Sequence, residues 1–569
     1  MSGLVAAHGP FDPRMGERML ERLVHRGPDG EGSRQVGDAW LGHRRLAIVD
    51  PEGGAQPLAS ERGDLWLVGD GEVYNHRRLR ANLGEDSFRT GSDHEAALLA
   101  FERDGPEGFG RLWGTFAFVI AGEDGRFAAT RDTLGVAPLY WAQCDGTVLF
   151  ASELKAFDED WQAKVEPFPT GGIWTPKGGL REWGSSPSGP SLLMRSRAPN
   201  EEPPAWVFDA VRESLVRAVE TGLRADVPVG AFLSGGLDSS VICAIAARIA
   251  REHGWPLNTF AAGLSDSADL VAARRVAEHV GAEHHERVYT AQEAIELVPE
   301  VIGMLESFDP TLLHSAVPNH LVATLAREHV KAVLIGEGAD EIFAGYTHYA
   351  ELDTSAELQE ALLETIRGLH NLGLQRVDRV TSANGIEARI PFLDLDVVEL
   401  ALSLPPGWKL KSADRPEKWL LRRAFEDWLP DELVWRKKEQ FGQGTGMDEV
   451  LRDHFGATVS EEELERERGA VDPPLRTREE LAYYRIFRDG LPGVQVKQTI
   501  GQRRSSVDGS LEITEVDRRV QERRDGDDQR FEGEEPADGI VVSAIAGHAR
   551  SPRAWDGPCR GTPLYERLA

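Results

Sequence analysis

The stretch AFLSGGLDSSV, residues 231–241, decides how the middle of the chain folds. An apolar run ends at Leu233, two glycines then allow a tight turn, and two serines open an amphipathic helix. The free N–H groups and the dipole at such a helix start attract an anion. The spacing is not that of the Walker loop, whose lysine is also absent. The stretch therefore predicts a different phosphate-binding loop, in which Asp238 is suited to a phosphate-bound Mg²⁺.

The residues around this loop alternate between helices and apolar strands, which predicts a parallel sheet covered by helices. A second strand, Gly-rich turn and helix follow in VLIGEGADEIFAGY, residues 333–346. Asp340 and Glu341 lie where this second strand ends. Because α/β sheets bind ligands at the carboxyl ends of their strands, both loops are expected to face one site.

Composition changes along the chain predict four parts. Residues 1–182 contain short β-type runs between Gly and Asp turns and one evident helix, SDHEAALLAFERDG, which indicates a layered β-rich domain. Residues 183–205 are rich in Ser, Pro and Gly and are typical of a linker. Residues 206–500 form the α/β domain. Residues 501–569 are charged and poor in aromatic residues, and we expect this tail to be disordered.

Charge and cysteine content exclude several function classes. The formal net charge is -30, from 94 acidic and 64 basic residues, which argues against binding of nucleic acid through phosphate neutralisation. Three scattered cysteines do not suggest a disulfide framework. The sequence shows neither a signal peptide nor a long apolar segment, so we expect no membrane partner and a cytoplasmic location.

Further motifs identify a family. The first loop resembles the pyrophosphate loop of the N-type ATP pyrophosphatases. The segments GIEARIPFLD, EKWLLRRAF and WRKKEQFGQG, residues 385–394, 417–425 and 435–444, resemble asparagine synthetase. HRGPDGEG, LGHRRLAIVD, GAQPL, GEVYNH, TGSDHE and FASELKAF resemble its glutamine-hydrolysing domain. The resemblance spans residues 1 to about 500. It implies a two-domain α/β protein, with an N-terminal layered αββα glutaminase-like domain of the N-terminal-nucleophile class. The C-terminal domain is then a parallel-sheet α/β ATP-pyrophosphatase domain with added helices.

The resemblance also implies a reaction and its residues. ATP and Mg²⁺ are the implied cofactors, and aspartate is activated as an acyl-adenylate before ammonia displaces AMP. Asp238 and Asp340 are the implied Mg²⁺ ligands, Lys438 neutralises the leaving pyrophosphate, and Glu337 faces the adenylate and helps the amine lose its proton. The implied ATP-binding residues are Leu233, Ser234, Gly235, Gly236, Asp238, Ser239, Ser240, Ala262 and Gly336.

The glutaminase motifs depart from the family pattern at two positions. The family nucleophile is a cysteine after Met1, where this chain has Ser2, and a family oxyanion-hole asparagine is replaced by Asp70. A carboxylate repels a developing oxyanion, and loss of one donor costs about 100- to 1000-fold. We therefore expect a degenerate glutaminase, in which Ser2 stands at the position of the nucleophile. Its glutamine-site remnants are Arg45, Asp70, Gly71, Glu72 and Asp93, which either still bind glutamine as a sensor or, as we prefer, persist as structural partners.

The acceptor pocket departs as well. In SFDPTLLHSAVPN, Thr311, Leu312 and His314 take the places of two threonines and an arginine in the family. An arginine binds a carboxylate better than a partly charged histidine does. This replacement therefore argues against aspartate as the substrate.

The sequence thus predicts an ATP-dependent amide-forming ligase with L-aspartate as the expected acceptor and free ammonia as the expected nitrogen donor. Its partners are small molecules, and a homodimer is left open. Three alternatives remain: a related ligase for another carboxylate or amine, including lactam formation; a glutamine-dependent enzyme acting through Ser2; and a non-catalytic nucleotide- or glutamine-binding regulator.

Overall fold

The structure, a computed structural model, describes residues 1–184, 202–265, 267–352, 354–410, 415–438, 447–501, 504–505 and 511–512. The predicted linker therefore lies mostly outside the described residues, as do nearly all of the predicted tail and the end of the motif at 435–444.

The N-terminal region contains twelve strands and four α-helices. The strands are β1 Gly3–His8, β2 Gly30–Val36, β3 Ala39–Arg45, β4 Leu58–Ala59, β5 Leu65–Val73, β6 Gly114–Gly122, β7 Phe127–Arg131, β8 Tyr140–Cys144, β9 Thr147–Ala151, β10 Glu166–Pro167, β11 Gly172–Thr175 and β12 Gly179–Glu182. The helices are α1 Pro13–Glu21, α2 His76–Leu83, α3 His94–Asp104 and α4 Glu159–Gln162.

The remaining strands and helices follow from residue 205. The strands are β13 Val229–Phe232, β14 Asn258–Gly263, β15 Glu283–Val288, β16 Ala332–Leu334, β17 Glu387–Arg389, β18 Arg504–Ser505 and β19 Leu511–Glu512. The helices are α5 Ala205–Gly222, α6 Leu237–His253, α7 Ala268–Val280, α8 Ala291–Leu305, α9 Pro310–Ala326, α10 Ala339–Ile342, α11 Ser355–Gly368, α12 Gly373–Ser382, α13 Leu395–Ser403, α14 Trp419–Ala424, α15 Asp431–Val434, α16 Met447–Ala457, α17 Glu461–Glu467, α18 Arg478–Gly490 and α19 Val496–Thr499.

The N-terminal strands form two antiparallel six-stranded sheets, in the orders β10-β8-β9-β1-β3-β2 and β12-β11-β7-β6-β5-β4. Successive side chains of a strand point to opposite faces. In β1, Leu4 and Ala6 therefore join the core between the two sheets, whereas Val5 and Ala7 pack on the outer side with α1. Helices α2 and α3 cover the other sheet. This confirms the layered αββα arrangement.

The prediction of a single helix in residues 1–182 was wrong. Helix α1 begins after Asp12, whose side chain accepts a hydrogen bond from the backbone N–H of Arg14, and Pro13 occupies its first turn. This cap-and-proline start is a readable signal. Helix α2 carries neither signal of this kind nor an apolar stripe, because no side chain caps its start and Leu79 is its single buried residue.

The C-terminal domain contains a five-stranded parallel sheet in the order β15-β14-β13-β16-β17, as predicted. Because β13 and β16 are neighbours, the loops that follow them emerge side by side. Gly235, with φ of +73°, makes the turn after β13, and a Cβ there would lie 2.7 Å from the backbone nitrogen of Ala273. A Cβ on Gly336 would lie 2.7 Å from the backbone nitrogen of Ser239. Glycine at 336 therefore allows the second loop to approach the start of α6, and glycine at 235 allows the first loop to pack against α7.

The two domains share one apolar core. The cluster that holds Val5 and Ala7 of β1 also contains Phe260 of β14 and Leu313 of α9. The sheet of β1 therefore packs directly against the α/β domain. Within the described part of the chain, no helix has both the length and the apolar character needed to cross a lipid bilayer.

Candidate functional site

A cavity of about 280 Å³ lies at the carboxyl ends of β13, β14 and β16. Most of the predicted synthetase residues line it, and they come from segments more than 200 residues apart. These are Leu233, Ser234, Gly236, Asp238, Ser239, Ala262, Thr311, Leu312, His314, Gly336, Glu337, Asp340 and Lys438. Gly235 and Ser240 lie behind the wall, where they shape the loop.

The phosphate-loop serines are held in a local hydrogen-bond network. The hydroxyl oxygens of Ser234 and Ser239 lie 3.0 Å apart, and the Ser240 hydroxyl donates to the carbonyl of Gly236 at 2.7 Å. Helix α6 begins directly after Gly236. The open end of a 17-residue helix therefore faces the cavity, which suits an anionic ligand.

Lys418 joins the two predicted metal carboxylates. Its Nζ donates to Asp238 Oδ2 at 2.5 Å and lies 2.8 Å from Asp340 Oδ1. Lys438 also donates to Asp340, and to the carbonyl oxygen of Gly345 at 2.8 Å. Lys418 has φ of +56°, a conformation uncommon outside glycine, and such strain clusters at functional sites. Two lysines and two aspartates thus alternate beside the phosphate loop.

Burial and charge act in opposite directions on these groups. Burial disfavours the ionised form of Asp340, but Lys418 and Lys438 outweigh it and hold the pKa of Asp340 below its usual range. For Asp238, burial dominates the attraction of Lys418, and its pKa is raised. Burial lowers the tendency of Lys418 to be charged, yet the two aspartates raise its pKa. The pKa of Lys438 is lowered by burial and by the neighbouring Lys418 cation.

The residues fit a bound Mg²⁺. Asp238 Oδ1 is buried and has no hydrogen-bond partner among the described residues. A hard cation that keeps several waters and phosphate oxygens needs only one or two protein carboxylates. Asp238 and Asp340 would hold it, while no cluster of three or more His, Cys, Asp or Glu side chains suited to a metal occurs in the described ranges.

Glu337 lies in the turn between β16 and α10 and pairs with Arg376 of α12. Both side chains line the cavity. The guanidinium holds the carboxylate in place, so that it faces the cavity beside the phosphate loop rather than free solvent.

The acceptor-pocket residues lie at the start of α9. The side chain of Asp309 accepts from the backbone nitrogen of Thr311 at 2.8 Å and caps the helix. Leu312 is buried, and His314 Nε2 lies 2.7 Å from Glu479 Oε1. Burial lowers the pKa of His314, but hydrogen bonds to Asp448 and Glu479 outweigh it and raise that pKa to about 9. The sequence-based view of His314 as partly charged near neutral pH is therefore wrong, because both of its neighbours are carboxylates.

Ser2 is enclosed at the boundary of the two domains. Its backbone nitrogen donates to Asp70 Oδ1 at 2.5 Å, and its hydroxyl accepts from the backbone N–H of Leu46 at 3.2 Å. Arg26, fully buried, donates to Asp70 and to the Ser2 carbonyl. Met1 is buried, and its ammonium lies 3.3 Å from Glu387.

The other glutamine-site remnants have internal partners. Arg45, the last residue of β3, donates to the carbonyl oxygens of Asp50 and Pro51 in the segment that follows. Glu72 pairs with Arg389 of β17, and Asp93 accepts from the backbone nitrogen of Val73 at 2.7 Å. Gly71 has φ of +97°, which favours glycine.

The sequence reasoning missed Lys418, Arg376 and the carboxylates around His314. For Lys418 the sequence held a signal, since lysine is rare in this chain, with only ten residues. Three of the ten, Lys418, Lys437 and Lys438, line this cavity. Arg376 gave no signal among 54 arginines.

Comparisons with known proteins agree with this architecture. The family model for asparagine synthase matches residues 210–367 and 350–495, and the glutamine amidotransferase domain model matches residues 1–169. The chain is 39% identical over 527 residues to asparagine synthetase [glutamine-hydrolyzing] 2 of Arabidopsis thaliana, covering 88% of this chain and 89% of that protein. It is 37% identical to asparagine synthetase [glutamine-hydrolyzing] 2 of Oryza sativa subsp. japonica, covering 88% and 87%.

These matches confirm the predicted family, the two-domain fold and the enzyme class. The chain belongs to the asparagine synthetase family of ATP-dependent carbon–nitrogen ligases.

Proposed function

We propose that the protein forms an amide by activating the side-chain carboxylate of L-aspartate with ATP. A carboxylate oxygen attacks the α-phosphate, an acyl-adenylate forms and pyrophosphate leaves. Free ammonia then attacks the acyl carbon, AMP leaves, and asparagine is the product.

One observation carries this proposal: phosphate-binding and acyl-facing groups share a single cavity. The start of α6 would bind the phosphates, while Lys418 and Lys438 would neutralise charge on the leaving pyrophosphate. Such preorganised charge is usually the largest contribution to catalysis. A Mg²⁺ held by Asp238 and Asp340 would screen the phosphate charges when bound.

Glu337 is proposed to take the proton that the attacking amine must lose. Its pairing with Arg376 fixes the direction of the carboxylate. A Glu337→Gln variant should retain adenylate formation and lose most of the amide-forming step.

The environment of Ser2 supports ammonia, rather than glutamine, as the nitrogen donor. Asp70 offers acceptors where a glutaminase needs an oxyanion donor. Glu72 and Arg45 are engaged with Arg389 and with loop carbonyls, so these groups support folding in preference to a ligand.

A specific observation favours a second candidate, in which glutamine supplies the nitrogen. The relatives named above are glutamine-hydrolysing, and the glutamine amidotransferase model covers residues 1–169. In that case Ser2 would act as the nucleophile after removal of Met1.

The deciding experiment measures AMP and asparagine with Mg-ATP and L-aspartate, supplying either ammonium or glutamine as the sole nitrogen source. We expect both products with ammonium and neither with glutamine. Equal turnover with glutamine would support the second candidate. No AMP from aspartate would shift the acceptor to another carboxylate. A product lighter by one water, formed without added amine, would indicate lactam formation.

We further propose small-molecule partners only and a cytoplasmic location. The net charge of -30 disfavours nucleic acid. The domain limits proposed here are residues 1–182 and 206–500, and a homodimer is the assembly to test first by light scattering.

A further inference from the structure

A charged cluster lies at the acceptor end of the cavity. His314 of α9 lies between two carboxylates, with Nε2 2.7 Å from Glu479 Oε1 and Nδ1 3.4 Å from Asp448 Oδ1. Glu479 also accepts a hydrogen bond from the Tyr483 hydroxyl at 2.8 Å. Both ring nitrogens of His314 therefore face carboxylates on α16 and α18.

The cluster is negative overall. With His314 protonated it contains one cation and two anions, and neither N–H of the imidazolium remains for a ligand. The three arginines of the cavity wall are paired too: Arg376 with Glu337, Arg422 with Glu417 and Arg436 with Asp269. Lys437 and Lys438 also line the cavity, and Lys438 pairs with Asp340 beside the phosphate loop.

Of the two carboxylates in the cluster, Asp448 is the one that a ligand can reach. It lines the cavity and is 26% exposed, whereas Glu479 is 6% exposed and does not line it. A carboxylate in this setting accepts hydrogen bonds and attracts a cation, and it disfavours a second ligand carboxylate.

We propose that Asp448 binds a positively charged amine of the acceptor, so that the substrate class is an amine-bearing carboxylic acid recognised through that amine. This rests on the proposed function, because it assigns the second contact of the acid that the site would activate. L-Aspartate qualifies through its α-amine. Its α-carboxylate is the group this end of the cavity does not recognise.

Three acids distinguish recognition of the α-amine from recognition of the α-carboxylate. β-Alanine is aspartate without its α-carboxylate, succinate is aspartate without its amine, and L-aspartate carries both. Binding of each to the full-length protein is measured by calorimetry with Mg²⁺ and α,β-methylene-ATP, which cannot release pyrophosphate. A charge-assisted contact predicts a Kd for β-alanine that is lower than that for succinate by about tenfold or more.

The Asp448→Asn variant should reduce that ratio to within about twofold. Asp453→Asn is the matched control, since Asp453 lies on the same helix, is 82% exposed and pairs with Arg452 at 3.9 Å. This control should keep the ratio of the unmodified protein. The ligand series in the unmodified protein needs no variant, so it decides the proposal even if Asp448→Asn does not fold.

Succinate binding as tightly as β-alanine, no measurable binding of β-alanine, or an unchanged ratio in Asp448→Asn would each overturn the proposal. AMP release measured in parallel distinguishes failure of the amine site at Asp448 from failure of the proposed ligase reaction. Amine-dependent binding without AMP from any acid would leave Asp448 as the amine site and reject the proposed ligase reaction. AMP formed equally well from succinate would support the proposed ligase reaction and reject Asp448 as the amine site.

Discussion

The Asp70 carboxylate accepts a hydrogen bond from the backbone nitrogen of Ser2 at 2.5 Å, and its other oxygen lies 2.9 Å from Arg26. Asp70 and Ser2 are both buried, at the place where glutamine hydrolysis would occur. An ionised carboxylate can only accept hydrogen bonds, whereas a developing oxyanion needs donors. Under the proposed function, this contact next to the start of β1 would oppose amide hydrolysis.

Glutaminase activity should need two changes together. Ser2→Cys alone should give little release of glutamate from glutamine, because Asp70 still faces the reacting amide. Adding Asp70→Asn should raise release by about 100-fold over Ser2→Cys, since one donor is restored. Arg26 keeps its bonds to Glu153 and Asp378 in that variant. The Ser2→Ala, Asp70→Asn pair is the control, and full activity from Ser2→Cys alone would show that Asp70 is no obstacle.

Arg26 should be essential for stability. It is fully buried and pairs with Asp70, Glu153 and, across the domain boundary, Asp378. Arg26→Met leaves three buried carboxylates without this partner and should lower the free energy of unfolding by about 3–5 kcal/mol. Arg18→Met, at a side chain that is 54% exposed and paired with Asp158, should cost no more than about 1 kcal/mol. Urea denaturation measures both, and similar small losses would contradict the prediction.

Lys418 should be required for adenylate formation. Lys418→Met removes the cation that bridges Asp238 and Asp340, and kcat for pyrophosphate release should fall by about 100-fold or more. Lys418→Arg keeps the charge and should retain more activity. Lys497→Met, which removes an ion pair with Asp472, is the control and should leave kcat within about twofold. Retained activity in Lys418→Met, with circular dichroism showing a folded protein, would rule out this role.

His314 should make stability depend on pH. Its pKa is raised to about 9 from about 6.5, because its bonds to Asp448 and Glu479 outweigh burial. The folded state therefore binds the proton more tightly, and this stabilisation is complete below about pH 6.5 and lost as pH rises through about 9.

His314→Gln should thus lower the free energy of unfolding by up to about 3 kcal/mol at pH 6 and by much less at pH 10. The control is His454→Gln at an exposed position of α16, with changes of about 0.5 kcal/mol or less at both pH values. Equal losses for His314→Gln at pH 6 and pH 10 would contradict the proposed charge state.

Local patterns predicted those parts of the site that short segments build by themselves. The turn through Gly235 and the helix that follows it depend on backbone preferences of adjacent residues. The parallel sheet followed in the same way from alternating apolar strands and helices. Helix α2 was missed because its one buried residue, Leu79, leaves no apolar stripe to read.

By itself, then, the sequence determined the family, the two-domain fold and the glycine turn between β13 and α6, because short contiguous motifs carry each of them. Only the tertiary structure decided which charges meet: Lys418 with Asp238, Arg26 with Asp378, and His314 with Asp448 and Glu479. The two residues of each pair lie between 134 and 352 positions apart in the sequence. Coulomb energy and pKa depend on distance and burial in space, which residue order does not state.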